Sequence, residues 1–376
     1  MTEPATTVLD ESIRRLLVEH DFDPSLFERL QAAVREGRLV PGGQRVQGCV
    51  EPPDPVDVTD LGALGAAERE RFAERGLEAF SRGEVASVVL AGGMATRFGG
   101  VVKALVEACP GRRFVDVKLA DARRMAERCG ARLPVLLMTS ASTHAALEPI
   151  AEDESSARVP IRLFRQQSAP RLRPDGSVLL LDGQPSLAAT GHGDLTFALR
   201  RSGLDGRLRA EGVRWLVVTN VDNVAATLDP VIVGAHLESG APLSCEVVAR
   251  EPTDRGGAPV RVEGRIQLVE AFRMPEGFDA ECLPVFNTNS FVMNLDVVEH
   301  DFPLTWLAVS KTVQGEAAIQ LERLVGELTA FVPTRFWCVP RSGSECRFLP
   351  VKDAEEHARR RDDIERVLRA RGLLTH

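Results

Sequence analysis

The stretch "VVLAGGMATRFGGVVKALVE", residues 88–107, runs an apolar strand into paired glycines and carries Lys103, one of four lysines among 46 basic side chains. Backbone without side chains at a strand exit presents amide N–H groups, which suit the oxygens of a phosphate. Such a glycine pair can also simply make a tight turn. The spacing is neither GxGxxG nor GxxxxGK[ST], which disfavours a Rossmann dinucleotide site and a P-loop. Four later stretches hold further chemistry. "ATGHGDLTFAL" (189–199) sets two glycines around His192 and follows them with Asp194, a residue suited to capping a helix. "LVVTNVDNVAATLDP" (216–230) closes a strongly apolar strand with Asn220, Asp222 and Asn223, so a carboxylate stands at the same sheet edge. "PVFNTNSFVMN" (284–294) offers the amides of Asn287 and Asn289, and "CRFLPVKDAEE" puts Lys352 just before the last helix. Singly, each reads as a turn, a helix cap, an Asx turn or a solvated lysine. Their joint occurrence in this order favours a site.

The elements that must position these residues follow from periodicity. "LPVLLM", "IRLFRQ", "RWLVVTN", "LSCEVVAR", "NSFVMN" and "FVPTRFWCV" are short β-branched or leucine-rich runs, with helix-like segments between several of them. That alternation is the pattern of an α/β sheet with mainly parallel strands, and open sheets of this kind bind ligands at the carboxyl ends of their strands. Upstream, "VLDESIRRLLVEH" and "DPSLFERLQAAVREGRL" have helical spacing, the second with Asp23 as N-cap before Pro24. The proline-rich, acidic "VQGCVEPPDPVDVTDLG" reads as an extended connector that packs against nothing. A helix is expected around residues 66–82, and one charged amphipathic helix from Asp353 onward. The expected division is a helical N-terminal extension and linker (1–83), a catalytic α/β domain (84–340), and a lysine loop with its helix (341–376).

Composition narrows the partners. With 376 residues, 44% of them hydrophobic, the chain can bury a large core. A formal net charge of -8 argues against a surface that coats nucleic acid, so the expected partner is small. Seven scattered cysteines, odd in number and never spaced as CxxC, suggest neither a disulfide frame nor a zinc site. They fit a reducing compartment. The N-terminus has no apolar h-region, and no apolar run approaches the ~18 to 20 residues that span a bilayer. A cytoplasmic protein with no membrane partner is expected.

Taken together, "LAGGMATRFGG...K", "FRQQSAPRL", "GHGDL...SGL", "TNVDN...ATLDP", "GGAPVRVEGRIQLVE", "FNTNSF", "KTVQGEAAIQLE" and "RFLPVK" resemble the motifs of the UDPGP-type UTP:sugar-1-phosphate uridylyltransferases. The resemblance covers about residues 66–356. It implies a nucleotidyltransferase fold of GT-A-like, Rossmann-like α/β architecture with a mixed, mainly parallel sheet, making UDP-sugar and pyrophosphate from UTP and a sugar 1-phosphate. By that resemblance Leu90, Ala91, Gly92 and Gly93 would cradle the uridine and triphosphate, with Arg97 a further phosphate candidate. Gln167 would pair with the uracil edge. Gly191 and His192 would sit against the nucleoside, with Asn220 beside it. Asp222 would hold Mg²⁺ across the phosphates, and Lys103 and Lys352 would neutralise phosphate charge. Gly257, Glu270, Asn287 and Asn289 would face the sugar hydroxyls. Two positions depart from the pattern: Ala95 stands where a second glycine is frequent, and Val102 where proline is common. The segment after "RFLPVK" reads as a helix where larger eukaryotic relatives carry a β-helix, so their mode of oligomerisation is not carried over.

The implied reaction needs no protein nucleophile or base, because the sugar-phosphate oxygen arrives ionised and attacks the α-phosphorus in line. Positioning and charge neutralisation suffice. Accordingly no Ser/His/Asp elbow or HExxH motif is present. "FNTN" and "GGAP" resemble the glucose-using branch more than the N-acetylglucosamine branch, so glucose 1-phosphate is the expected substrate. The alternatives are an N-acetylglucosamine or broad-specificity enzyme and, more distantly, a metal-dependent glycosyltransferase or a non-catalytic UDP-sugar-binding protein. Because 42 of the basic residues are arginine, a position that keeps lysine is expected to need a compact point charge. Lys118 reads more simply, as a cation on a helix face.

Overall fold

The structure, a computed structural model, describes residues 9–95, 99–351 and 353–374. Eight strands make the central sheet: β1 (Val58–Asp60), β2 (Val85–Leu90), β3 (Val135–Thr139), β4 (Ile161–Arg165), β5 (Trp215–Asn220), β6 (Leu243–Ala249), β7 (Val285–Asn294) and β8 (Thr334–Cys338). Their order is β1-β8-β6-β7-β5-β2-β3-β4. Strand β7 runs antiparallel to both its neighbours, and every other adjacent pair is parallel. The expected mixed, mainly parallel sheet is therefore present.

The helices are α1 (Glu11–Glu19), α2 (Pro24–Arg35), α3 (Ala66–Ser81), α4 (Phe114–Cys129), α5 (His144–Glu154), α6 (Leu195–Arg201), α7 (Leu204–Ala210), α8 (Pro230–Ser239) and α9 (Ala354–Ala370). Helices α3, α4, α5, α8 and α9 cover one face of the sheet, sharing a core with Leu137 and Val217. Helices α6 and α7 cover the other, which holds Leu136 and Val218. Successive strand residues thus enter opposite cores, which is why these strands read as unbroken apolar runs.

Local signals place several ends. Asp23 accepts the Ser25 N–H at 2.8 Å ahead of Pro24, and Asp353 accepts that of Glu356 at 2.8 Å at the start of α9. Helices α1 and α2 and the turn between them bury Leu17, Phe27 and Phe22 against Leu172 and Ile319, so the helical preamble docks on the hairpin formed by Leu307–Val313 and Glu316–Glu322. The connector is more than a tether. Val50–Glu51 pairs with Arg261 and Val262, and residues 58–60 are β1, the edge strand of the sheet. Its prolines keep the chain extended and stop short of β1, and an edge tolerates such chain.

Candidate active site

The carboxyl ends of β2, β3, β4 and β5 lie at one level, since the ladder sets Leu90 beside both Asn220 and Met138, and Thr139 beside Arg165. The loops leaving them enclose a cleft of about 380 Å³. Of the residues singled out in the sequence, Leu90, Gly92, Gly93, Lys103, Gly191, His192, Asn220 and Asp222 line it. Ala91 is buried behind them, its N–H held by the Met138 carbonyl at 2.8 Å. Arg97 and Lys352 lie outside the described residues.

A small hairpin, Met94–Ala95 against Val101–Val102, folds the glycine loop back on itself. As a result the Lys103 N–H donates to the Gly93 carbonyl at 3.1 Å. The two departures are absorbed here: Ala95 is buried, and Val102 has φ -63°, the value a proline would impose. The Lys103 ammonium donates to the Asp222 carboxylate, forming a partly buried ion pair. Among the described residues no group of three or more His, Cys, Asp or Glu side chains lies together to hold a metal. A lone carboxylate such as Asp222 would fit Mg²⁺ if phosphates bind beside it, since that ion takes one or two carboxylates and fills its remaining positions with phosphate oxygens and water.

At Gln167 an expectation is corrected. Gln167 turns away from the cleft: its Nε2 donates to the Asp21 carbonyl at 2.6 Å and its Oε1 accepts from Arg323 at 3.2 Å. The adjacent Gln166 lines the cleft instead, 6% exposed and with its Oε1 lacking any partner. Neighbouring side chains on extended backbone point to opposite sides, so only one member of this pair faces inward. A Cβ at Gly92 would lie 2.0 Å from the Gln166 Nε2, so only glycine lets the two approach. His192 accepts the Val325 N–H on Nδ1 at 3.1 Å, which leaves the ring proton on Nε2 as a donor. Burial pushes its pKa down to about 4, so it is neutral at ordinary pH. Asp194 makes no helix-cap bond. Its carboxylate holds the Gln167 N–H at 2.7 Å and the guanidinium groups of Arg323 and Arg201, each at 2.8 Å.

The four residues expected to face the sugar form an adjoining cluster. Asn289 donates from Nδ2 to Asn220 Oδ1 at 2.9 Å, and its N–H reaches Asn287 Oδ1 at 2.8 Å. Asn289 has φ +57°, a left-handed conformation that asparagine tolerates better than most residues. The Glu270 carboxylate lies against Gly257, where a Cβ would stand 2.8 Å from Oε1. Burial pushes the Glu270 pKa up to about 7.

Sequence reasoning missed Arg171, Gln320 and Glu322, which line the far wall. Arg171 donates to Gln320 Oε1 at 3.2 Å, and Glu322 sits 3.5 Å from Lys311. "FRQQSAPRL" and "KTVQGEAAIQLE" contained all of them, but no spacing rule connects residues about 150 positions apart. Lys118 is also corrected. It lies on α4 as expected but on its buried face, and its ammonium donates to the carbonyls of Asn223 and Ala226 at 2.7 Å each.

A family model described as UTP–glucose-1-phosphate uridylyltransferase matches residues 44–366. UTP–glucose-1-phosphate uridylyltransferase 2 of Dictyostelium discoideum is 30% identical over 291 residues, covering 73% of this chain and 57% of the relative. The UTP–glucose-1-phosphate uridylyltransferase of Pyrus pyrifolia is 31% identical over 280 residues, covering 70% and 59%. The chain therefore spans under three-fifths of the length of these two relatives. Among solved structures, the uridine diphosphate N-acetylglucosamine pyrophosphorylase of Trypanosoma brucei superposes with a TM-score of 0.76 at 21% identity, covering 97% of this chain and 80% of the other. A point mutant of the UDP-glucose pyrophosphorylase of Leishmania major, in complex with UDP-glucose, gives 0.71 at 23%, covering 95% and 79%. These two establish the fold, and with the family match over residues 44–366 they lead to one assignment: the chain belongs to the UTP–glucose-1-phosphate uridylyltransferase family.

Proposed function

We propose that the protein transfers a uridylyl group from UTP to glucose 1-phosphate, releasing pyrophosphate. The observation that carries this reading is one cleft holding a bare glycine backbone, a lysine–aspartate pair and a glutamine whose buried amide oxygen has no partner. In either orientation the Gln166 amide offers one acceptor and one donor, matching the N3–H and a carbonyl of uracil. His192 donates from Nε2 to the nucleoside and takes no part in proton transfer. The Gly92–Gly93 amides meet phosphate oxygens. Lys103, and Lys352 from the C-terminal loop, neutralise the charge that builds on the α-phosphate as the pyrophosphate leaves.

Asp222 would hold Mg²⁺, which when bound supplies Lewis-acid neutralisation of the phosphates. Lys103 would then pass from Asp222 to the phosphates. Glucose is preferred in this reading because the Asn287–Asn289 and Gly257–Glu270 cluster places polar groups beside Asn220 at the cleft, and because the relatives described above are named for glucose 1-phosphate. The seven cysteines are free, in keeping with a reducing cytoplasmic compartment, and no helix among the described residues is long and apolar enough to cross a membrane.

The test is to incubate the protein with UTP, Mg²⁺ and glucose, galactose or N-acetylglucosamine 1-phosphate and to measure pyrophosphate. Release with glucose 1-phosphate at the highest kcat/KM is expected. A preference for the acetylated sugar would overturn the choice of sugar, and no release with any sugar would overturn the reaction.

A further inference from the structure

Beneath the cleft lie six formal charges that the chemistry above does not use. On α4, Lys118 donates to the carbonyls of Asn223 and Ala226, and Asp121 accepts the Leu228 N–H at 2.7 Å. From the other side Arg347, 3% exposed, forks onto Glu246 of β6, with Nη2 to Oε1 at 2.7 Å. The same guanidinium reaches the Thr227 carbonyl at 3.1 Å and Asp229 at 3.4 Å. Arg371, past the end of α9, donates to the Thr227 hydroxyl at 2.6 Å and to the carbonyls of Ala225 and Cys346. Three cations and three carboxylates cancel; Lys118, Asp121, Glu246 and Arg347 are buried and need such partners, while Asp229 and Arg371 are half-buried.

Stability alone does not call for such a cluster, because apolar side chains of similar volume serve a core as well or better. What these side chains share is the backbone they hold. Residues 221–228 are all buried yet follow no regular ladder, so their carbonyls need partners from elsewhere. The cations supply them. Those partners fall in two segments: 222–229, which opens with Asp222, and 346–351, which leads directly into Lys352. Asn223 stitches the two, donating to the Arg347 carbonyl at 3.1 Å and accepting the Leu349 N–H at 2.9 Å.

We propose that Lys118, Asp121, Asp229, Glu246, Arg347 and Arg371 are positioning residues that lock residues 222–229 and 346–351 into one register, so that Asp222 is held in place to meet the triphosphate. The inference rests on the uridylyl-transfer reading and extends it to residues that touch no substrate. Transfer by positioning is sensitive to such a mount, since about 1 Å of misplacement costs on the order of 10²-fold in rate.

The test uses the full chain with Arg347→Met and Glu246→Met, singly and together. Each single variant leaves a buried charge unpaired and should lower the unfolding midpoint, and the pair should recover most of that loss. Positioning predicts that the double variant still has kcat lowered at least ~10-fold, because the bond from Arg347 to the Thr227 carbonyl is not restored. It also predicts that, without substrate, the amides of Leu228 and Leu349 exchange faster together in Arg347→Met. Arg347→Lys, which keeps the charge but not the fork, should show both effects in weaker form and serves if the apolar pair disturbs folding. Wild-type turnover in a folded double or lysine variant would overturn the proposal, and so would faster exchange confined to Leu349. If the wild-type protein releases no pyrophosphate, the functional reading fails, and the exchange result still decides whether the two loops are coupled.

Discussion

The two residues proposed to read the nucleoside, Gln166 and His192, are neutral, whereas the pair proposed to meet the phosphates, Lys103 and Asp222, is charged. Gln166 is buried, His192 is half-buried, and both are uncharged, the histidine kept neutral by desolvation and by the Val325 N–H that occupies its Nδ1. Lys103 and Asp222 are paired and partly open to solvent, above the buried Lys118, Arg347 and Glu246. A neutral wall reads its ligand through a few fixed donors and acceptors and needs only burial to stay in place. A charged wall must be held by further charges, because each loop carbonyl and each buried ion needs its own partner. Mutations should therefore act on affinity in the first wall and on turnover in the second.

The largest effect should come from the phosphate wall. Asp222→Asn keeps the side-chain shape but removes the charge that would hold Mg²⁺, so kcat should fall about 10²- to 10³-fold with the unfolding midpoint little changed. Steady-state rates over a Mg²⁺ titration check this, and near-normal turnover with unchanged metal dependence would remove Asp222 from its role. Next come Lys103→Arg and Lys352→Arg. Each should lower kcat by ~10²-fold despite equal charge, because a planar guanidinium cannot replace a compact ammonium between phosphates. If both arginine variants turn over like wild type, charge alone suffices.

The nucleoside wall should respond differently. Gln166→Ala should raise the KM for UTP roughly tenfold, the cost of leaving one polar edge of the base unread. Gln167→Ala should leave that KM within about twofold and instead cost ~1 kcal/mol of stability, since its partners are the Asp21 carbonyl and Arg323. Equal effects on KM would dissolve the distinction between the two glutamines.

Smaller effects follow from pH. With its pKa raised to about 7, the Glu270 carboxyl is protonated below that pH and ionised above it. An ionised carboxylate accepts hydroxyl hydrogen bonds more strongly, so the KM for sugar 1-phosphate should fall about threefold between pH 6 and 8. Glu270→Gln should flatten that profile. His192 should give no inflection in kcat/KM near its ordinary pKa, being neutral until about pH 4. Its titration belongs to folding. Between the unfolded value of 6.5 and about 4 the unfolded chain takes up a proton that the native state refuses. Stability therefore falls as pH drops through that window and is unaffected above it. Urea midpoints from pH 4 to 8 should show the slope, and His192→Gln should reduce it.

The sequence by itself determined whatever depends on neighbours along the chain. Apolar runs marked β2 to β8, Asp23 and Asp353 marked helix starts, and the ends of β2 and β5 put Gly92, Gly93 and Asp222 at one sheet edge, because strand ends and caps are local signals. Only the tertiary structure decided the rest. The hairpin in which Ala258–Val262 pairs with Arg265–Val269, and the one at 307–322, were present in the sequence as motifs without a place. Which of two adjacent glutamines faces the cleft depends on how β4 is registered against β3 and where α1 and α2 dock, and neither is written in "RQQS". Likewise nothing near Lys118 says that it is buried. Its partners Asn223 and Ala226 lie more than 100 residues away, and a lysine on a helix becomes interior only when the β5 loop brings carbonyls to meet it.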